Sequence, residues 1–246
     1  MEKARVTAVS YLNTIPYVWG LRHYAGSRPW DLSLDVPAMC AKKLIHGQAD
    51  VGLIPAGAMR QLPSNFTDLD WGIAADGEVA SVLLLSRLPL KEIRKVVLDI
   101  DSRTSVLLIR ILARNHWNIS PEWEDGSVEE QLPESGLFIG DKAFRAQGHY
   151  PFVYDLSQEW KQMTALPFVF AAWTASTLVP GHIREHFGLA LECGTQNITS
   201  AIEEYGHDHP GVPDPEDYLR RRIRYRLGKS ERAGLDLFRR MTASLI

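Results

Sequence analysis

Apolar and polar positions along this chain switch repeatedly between a period of two and a period near 3.6. That alternation predicts strands interleaved with helices. Arg5 to Val9 reads as a first buried strand. Thr14 to Tyr24 carries Ile15, Val18, Trp19 and Leu21 at helical spacing, with Asn13 or Thr14 as its cap and Pro16 in its first turn. Asp31 to Val36 alternates Leu32, Leu34 and Val36, as a strand does. Pro37 then opens a helix over Ala38–His46, and Gly47 closes it. Ala49 to Pro55 is a third strand, stopped by its proline. Strand, helix, strand, helix, strand predicts a parallel sheet.

Two more strands are predicted at Trp71–Ala75 and Val79–Leu85, around the turn Asp76-Gly77-Glu78. After Leu88-Pro89 a new unit begins. A strand over Lys95–Leu98 leads into Asp99-Ile100-Asp101-Ser102-Arg103-Thr104-Ser105 and an apolar helix through Leu112. Gly136–Asp141 is a strand ending in a turn. Val153–Leu156 is a short strand, with Ser157 capping a helix to Met163. Pro167–Trp173 is strongly β-prone. Beyond Pro180 the pattern reads as helix, broken at Val212-Pro213-Asp214-Pro215, with Asp214 and Ser230 as caps. The expected organisation is two α/β lobes. Residues 1–87 and 171–246 form the first lobe and 88–170 the second. The chain crosses near 82–88 and 168–176, which makes a hinge with a ligand cleft between the lobes.

Composition narrows the function classes. The 246 residues carry a net charge of −3, too little basic excess for a nucleic-acid binder. The cluster Arg220-Arg221-Arg222 with Arg224 and Arg226 reads as a solvated helix face. No apolar run approaches the roughly 18 residues that span a bilayer. Met1–Arg5 runs straight into a strand, so no signal peptide is expected. The two cysteines, Cys40 and Cys193, have no metal-like spacing, and a reducing cytoplasm is the expected setting.

Four polar junctions stand at predicted strand ends and face the cleft: Ser10-Tyr11-Leu12-Asn13, Ser81, Ser102-Arg103-Thr104-Ser105, and Gly140-Asp141. The Ser102–Ser105 turn combines hydroxyls, a cation and a helix N-terminus, the ingredients of an anion site. Simple capping explains the same residues. Asp99 and Asp101 fit either paired carboxylates or a turn at a helix start. His182 and His186 lie one helical turn apart, but no Glu follows the first, as a zinc-protease helix would require. His207-Asp208-His209 reads as a surface loop. Walker A, GxGxxG and GxSxG patterns do not occur.

Ser10-Tyr11-Leu12-Asn13-Thr14-x-Pro16 resembles the N-terminal signature of the chorismate dehydratase family, in the futalosine route to menaquinone. The resemblance continues through Gly47–Pro55, Asp76–Ser86, Ser102–Ser105, Ile139–Ala143, Tyr154–Leu156, Thr164–Ala171, and Tyr218-Leu219 with Ile223-x-Tyr225-x-Leu227. Ile15 stands where that family often has lysine, and Tyr17 where leucine is common. The resemblance implies the type 2 periplasmic-binding-protein fold and a cofactor-free, metal-free dehydration of a small dicarboxylate, chorismate. Asn13 would be the catalytic residue, and Ser10, Tyr11, Ser81, Arg103, Thr104, Ser105 and Asp141 would bind substrate. Its amide has no useful basicity, so the substrate's own enolpyruvyl carboxylate is the expected base. The paralogous enzyme making 1,4-dihydroxy-6-naphthoate and a non-catalytic carboxylate-binding protein share the fold and are the competing readings.

Overall fold

The fold was read from a computed structural model that describes residues 3–99, 102–128, 132–243 and 245. The first five elements follow the apolar pattern closely. They are β1 (Ala4–Val9), α1 (Ile15–His23), β2 (Trp30–Asp35), α2 (Pro37–Ile45) and β3 (Val51–Pro55). β1 pairs in parallel with both β2 and β3. Gly47 ends α2 with a positive φ of 65°, a conformation glycine adopts without Cβ strain.

β4 (Phe66–Ala75) starts five residues before the predicted strand, because its first half pairs with a distant segment. β5 (Val82–Ser86) is followed by β6 (Lys95–Asp99), α3 (Arg103–Leu112), β7 (Glu122–Gly126), β8 (Ser135–Ile139), α4 (Asp141–Ala146), β9 (Phe152–Asp155) and α5 (Leu156–Thr164). β10 (Phe168–Ser176), α6 (Gly181–Gln196), α7 (Ile198–Tyr205), the single turn α8 (Pro215–Asp217), β11 (Arg224–Arg226) and α9 (Lys229–Ala243) complete the chain.

The strands form two sheets. One has the order β11-β4-β10-β3-β1-β2 and the other β7-β6-β8-β5-β9. β5 pairs antiparallel with β8 and β9, so Val82–Ser86 belongs to the second sheet and not to the first unit, where the sequence reading put it. The chain therefore leaves the first sheet at Ala75 and rejoins it at Phe168. β5 is an interior strand of its sheet, antiparallel to both neighbours, and is buried on both faces. Val82 and Leu84 pack into the main core, while Leu83 and Leu85 pack with Val128, Phe138 and Tyr150. Two-sided burial explains the nearly unbroken apolar run.

Other expectations fail for identifiable reasons. Beyond Pro180 the chain is not wholly helical, because Arg224–Arg226 completes the edge of the first sheet against β4. Asp155, not Ser157, caps α5, accepting from the backbone N–H groups of Ser157 and Gln158. Ser230 lies inside α9, and the Glu231 carboxylate instead accepts from the Gly228 N–H at 3.0 Å. Asp214 does cap its turn, accepting from the Asp217 N–H. The Arg220–Arg226 cluster is neutralised. Arg220 pairs with Glu216, Arg222 with Glu78, and Arg224 with Asp76 and Glu231. Two of these pairs tie the C-terminal segment to the turn between the sheets.

The core explains one unusual residue. Tyr17 is fully buried, edge-on to Trp71, Trp173 and Tyr225. Its hydroxyl lies 2.6 Å from the Gly72 carbonyl oxygen and 3.0 Å from that of Tyr225. A leucine would leave both carbonyls without this donor. Ile15, where lysine is common in the resembling family, is buried at 4% exposure.

Candidate active site

Three of the four polar junctions fall just beyond the C-terminal ends of strands (β1, β6 and β8), the usual ligand side of an open α/β sheet, while Ser81 immediately precedes β5. Ser10 to Asn13 follow β1. Here the Thr14 hydroxyl does not cap α1. It reaches back to the Val9 carbonyl at 2.6 Å, and its oxygen accepts from the Tyr11 N–H. Asn13 likewise makes no cap. The closed loop holds Ser10 and Tyr11 exposed and Asn13 half-buried, in a 3₁₀ turn spanning Leu12–Thr14.

The Asn13 side chain lies beside the hydroxyl of Tyr218, a residue on the turn after α8. The same hydroxyl lies 2.9 Å from Ser81 Oγ. Tyr218 is 3% exposed, and its ring packs edge-on to Phe144 of α4. Burial pushes its hydroxyl up to about 12, against the opposing effect of neighbouring Ser81 and Asn13, with Asp141 and Asp155 adding to the rise. Tyr218 is therefore a neutral phenol at physiological pH. Sequence reading matched Tyr218 to the family pattern but gave it no role, because nothing local marks a buried tyrosine as a site residue.

Ser81 is held from two sides. Its carbonyl accepts from the Gly140 N–H at 2.7 Å, which fixes it to the start of α4. The preceding Ala80 sits at φ 63°, a strained conformation for a residue with a Cβ. The Asp155 carboxylate stabilises it. Oδ2 accepts from the N–H groups of Val79 at 2.9 Å and Ala80 at 2.6 Å, while Oδ1 caps α5. Burial raises Asp155 to about 6, against hydrogen bonds from Ala80, Gln158 and Val79.

Asp141, the first residue of α4, is hydrogen-bonded to His209 Nδ1 at 3.2 Å. The His209 side chain is only 11% exposed, so it is not the surface residue that its Pro- and Gly-rich surroundings suggested. His207 and Asp208 do lie on the surface. Lys142 pairs with Asp99 at 3.0 Å and so links the ends of β8 and β6. Asp101, the other half of the expected carboxylate pair, lies outside the described residues. Among the described residues no group of three or more His, Cys, Asp or Glu could hold a metal ion.

The Ser102–Ser105 turn begins α3, as expected. Ser102 accepts from the Ser105 N–H and donates to Ser105 Oγ at 2.8 Å. Thr104 Oγ1 accepts from the Gly57 N–H at 3.1 Å and faces the Phe170 carbonyl at 3.4 Å. Its hydroxyl thus joins α3 to the segment after β3 and to β10. The Arg103 guanidinium faces Gln61, whose amide oxygen, turned toward it, accepts at 2.6 and 2.9 Å. Asn13, Ser81 and Asp141 therefore gather around Tyr218, whereas Arg103 and Thr104 engage the loop over Ala56–Gln61. A recess of about 440 Å³ lies elsewhere, lined by Met59, Phe66, Thr174 and Arg239 among others. There Asp68 neutralises Arg239, and none of the strand-end residues lines it.

Two α/β sheets joined by two crossings, with polar strand ends converging, define a periplasmic-binding-protein-like fold. The aliphatic sulphonate binding protein SsuA from Escherichia coli superposes with a TM-score of 0.65 at 13% identity, covering 100% of this chain and 87% of that one. The crystal structure of protein AF1704 from Archaeoglobus fulgidus gives 0.79 at 16% identity, covering 100% and 99%. These likenesses establish the fold. The family described as "Menaquinone biosynthesis" matches residues 4–244, and this chain belongs to it. Among curated proteins, the chorismate dehydratase of Thermus thermophilus is 31% identical over 188 residues, 64% of this chain and 69% of that one. The chorismate dehydratase of Campylobacter jejuni is 27% identical over 171 residues, 68% of this chain and 65% of that one.

Proposed function

We propose that this protein is a hydro-lyase that converts chorismate to 3-(1-carboxyvinyloxy)benzoate and water. The observation that carries the reading is the Asn13–Tyr218–Ser81 cluster, built from strand-end residues in a chain whose relatives are chorismate dehydratases. The C3 hydrogen of chorismate is acidified through the ring double bond conjugated with the carboxylate. Loss of the C4 hydroxyl then yields an aromatic ring, which supplies the driving force. The protein has to orient a dianion, exclude water and assist one leaving hydroxyl.

Asn13 orients the reacting region or donates to the leaving hydroxyl. An amide cannot take the proton, so the enolpyruvyl carboxylate of the substrate does. The Ser81 hydroxyl and the start of α3, with Arg103, Thr104 and Ser105, hold the carboxylates. Asp141, tied to His209, fixes the start of α4, and Ser10 and Tyr11 form the solvent-facing rim. No helix among the described residues is long and apolar enough to cross a membrane. With two free thiols, a cytoplasmic setting suits the reading. The two sheets act as two lobes that close over the substrate, with the crossings between β4 and β5 and before β10 as hinge.

The test is direct. Purified protein is incubated with chorismate, and formation of the aromatic ether is followed by absorbance and mass spectrometry. Stoichiometric binding of chorismate without product would replace the enzyme reading with a binding protein.

A further inference from the structure

We propose that Asp155 is a positioning residue for Ser81. One carboxylate oxygen caps α5, and the other fixes the backbone turn that aims the Ser81 hydroxyl into the candidate site. This rests on the reading above, in which Ser81 holds a substrate carboxylate, and gives a role to a buried acid that reading does not use.

The crossing between the sheets creates the need. β4 ends at Ala75 and β5 begins at Val82, so the residues between leave one ladder before they enter the other. Val79 is 1% exposed and Ala80 8%, and their N–H groups require acceptors inside the protein. Asp155 Oδ2 serves both, at 2.9 and 2.6 Å. Strand pairing brings Asp155 there, since it lies opposite Leu83 where β9 runs antiparallel to β5. Its Oδ1 accepts from the N–H groups of Ser157 and Gln158 at 3.0 and 3.1 Å. An ionised carboxylate suits this position because it offers two acceptor oxygens and no donor. A serine satisfies the helix alone.

Ser81 takes its direction from this turn. Ala80 holds φ at 63°, in the left-handed region that residues with a Cβ rarely adopt. The two hydrogen bonds to Asp155 hold the backbone just before that torsion. Just after it, the Ser81 carbonyl accepts from the Gly140 N–H at 2.7 Å, and Ser81 Oγ lies 2.9 Å from the Tyr218 hydroxyl. Rotating Ala80 to an ordinary negative φ would swing Ser81, the next residue, away from both. α5 also grips the start of the crossing, through Lys161 Nζ at 2.5 Å from Asp76. A helix packed on the second sheet thus sets where a site residue points.

The test separates the two oxygens. Asp155→Ser keeps a capping oxygen for α5 and removes the acceptor for Val79 and Ala80. With chorismate, kcat/KM is expected to fall by about 10- to 100-fold, the scale of a misplaced binding group. The same substitution in a Ser81→Ala background should cost no more than about threefold, because its effect passes through Ser81. An equal loss in both backgrounds would mean that Asp155 only stabilises the fold, and would overturn the proposal. So would wild-type kcat/KM in folded Asp155→Ser. A third measurement needs neither turnover nor a variant. Native-state hydrogen exchange under graded denaturant should give the Val79, Ala80 and Gly140 amides one shared opening free energy. Gly140 exchange uncoupled from the other two overturns the proposal. If the wild-type protein does not turn over chorismate, the dehydratase reading falls, and the exchange measurement alone decides the role of Asp155. The same measurement decides it should Asp155→Ser not fold.

Discussion

Replacing Asp155 with asparagine changes almost no volume and removes one charge. In the native protein the carboxylate accepts four backbone N–H bonds, from Val79, Ala80, Ser157 and Gln158, at 2.6–3.1 Å. Asparagine has a single acceptor oxygen, so two of those N–H groups would face an NH₂. Two deprived buried donors cost roughly 2–6 kcal/mol together. Against this, the folded-state value of about 6, compared with 3.8 for an ordinary aspartate, means that ionising Asp155 costs about 3 kcal/mol. Asparagine avoids that cost. At pH 7 the two effects oppose each other, and the pH dependence is the discriminating quantity.

The folded-state pKa lies above the unfolded one. The stability contributed by Asp155 is therefore full below pH about 4 and is lost as pH rises through about 6. Urea unfolding, followed by the fluorescence of buried tryptophans such as Trp160, gives the stability of both proteins at each pH. The difference, wild type minus Asp155→Asn, should fall by about 3 kcal/mol between pH 4 and pH 7 and then level off. Carboxylates held low by hydrogen bonds, such as Asp50 by Arg5 and Asp76 by Lys161, are common to both proteins and cancel. A difference that stays constant across that range would mean that Asp155 titrates like a solvated carboxylate, and would refute the reasoning.

Two further outcomes are expected. Asn13→Ala should lower kcat for chorismate dehydration by on the order of 10²-fold, measured in the same absorbance assay, and a wild-type rate would remove Asn13 from the mechanism. Gly194→Ala places a Cβ 1.8 Å from the Pro16 carbonyl oxygen, where α6 crosses α1, so the helices must separate. That overpacking should cost about 2–3 kcal/mol and lower Tm by about 4–12 °C, and an unchanged calorimetric Tm would show that the crossing is looser than it stands here.

The sequence by itself determined the local elements and their punctuation. Alternation marked β2, and short apolar runs marked β1 and β3, the last stopped by Pro55. Pro37 and Gly47 bounded α2, and the alternation of strand with helix implied the parallel pairing that the first sheet shows. It also placed Asn13, Ser81 and Asp141 at strand ends, because such ends are marked by small polar residues next to apolar runs. These signals are legible because they depend on residues a few positions apart.

Tertiary structure decided what those residues meet. β11 looked helical because three residues carry too short a period, and only pairing with β4 makes them a strand. β5 joined the second sheet because it is buried on both faces, and its pattern cannot name its neighbours. Asp155 took the capping role from Ser157 because it could also accept from Val79 and Ala80, 76 and 75 positions away. His209 was drawn partly under cover beside Asp141, and Tyr218 came to Ser81 across 137 positions. Hydrogen bonds between distant segments form only when the whole core has closed around them. No local pattern records them, and the centre of the site is composed of them.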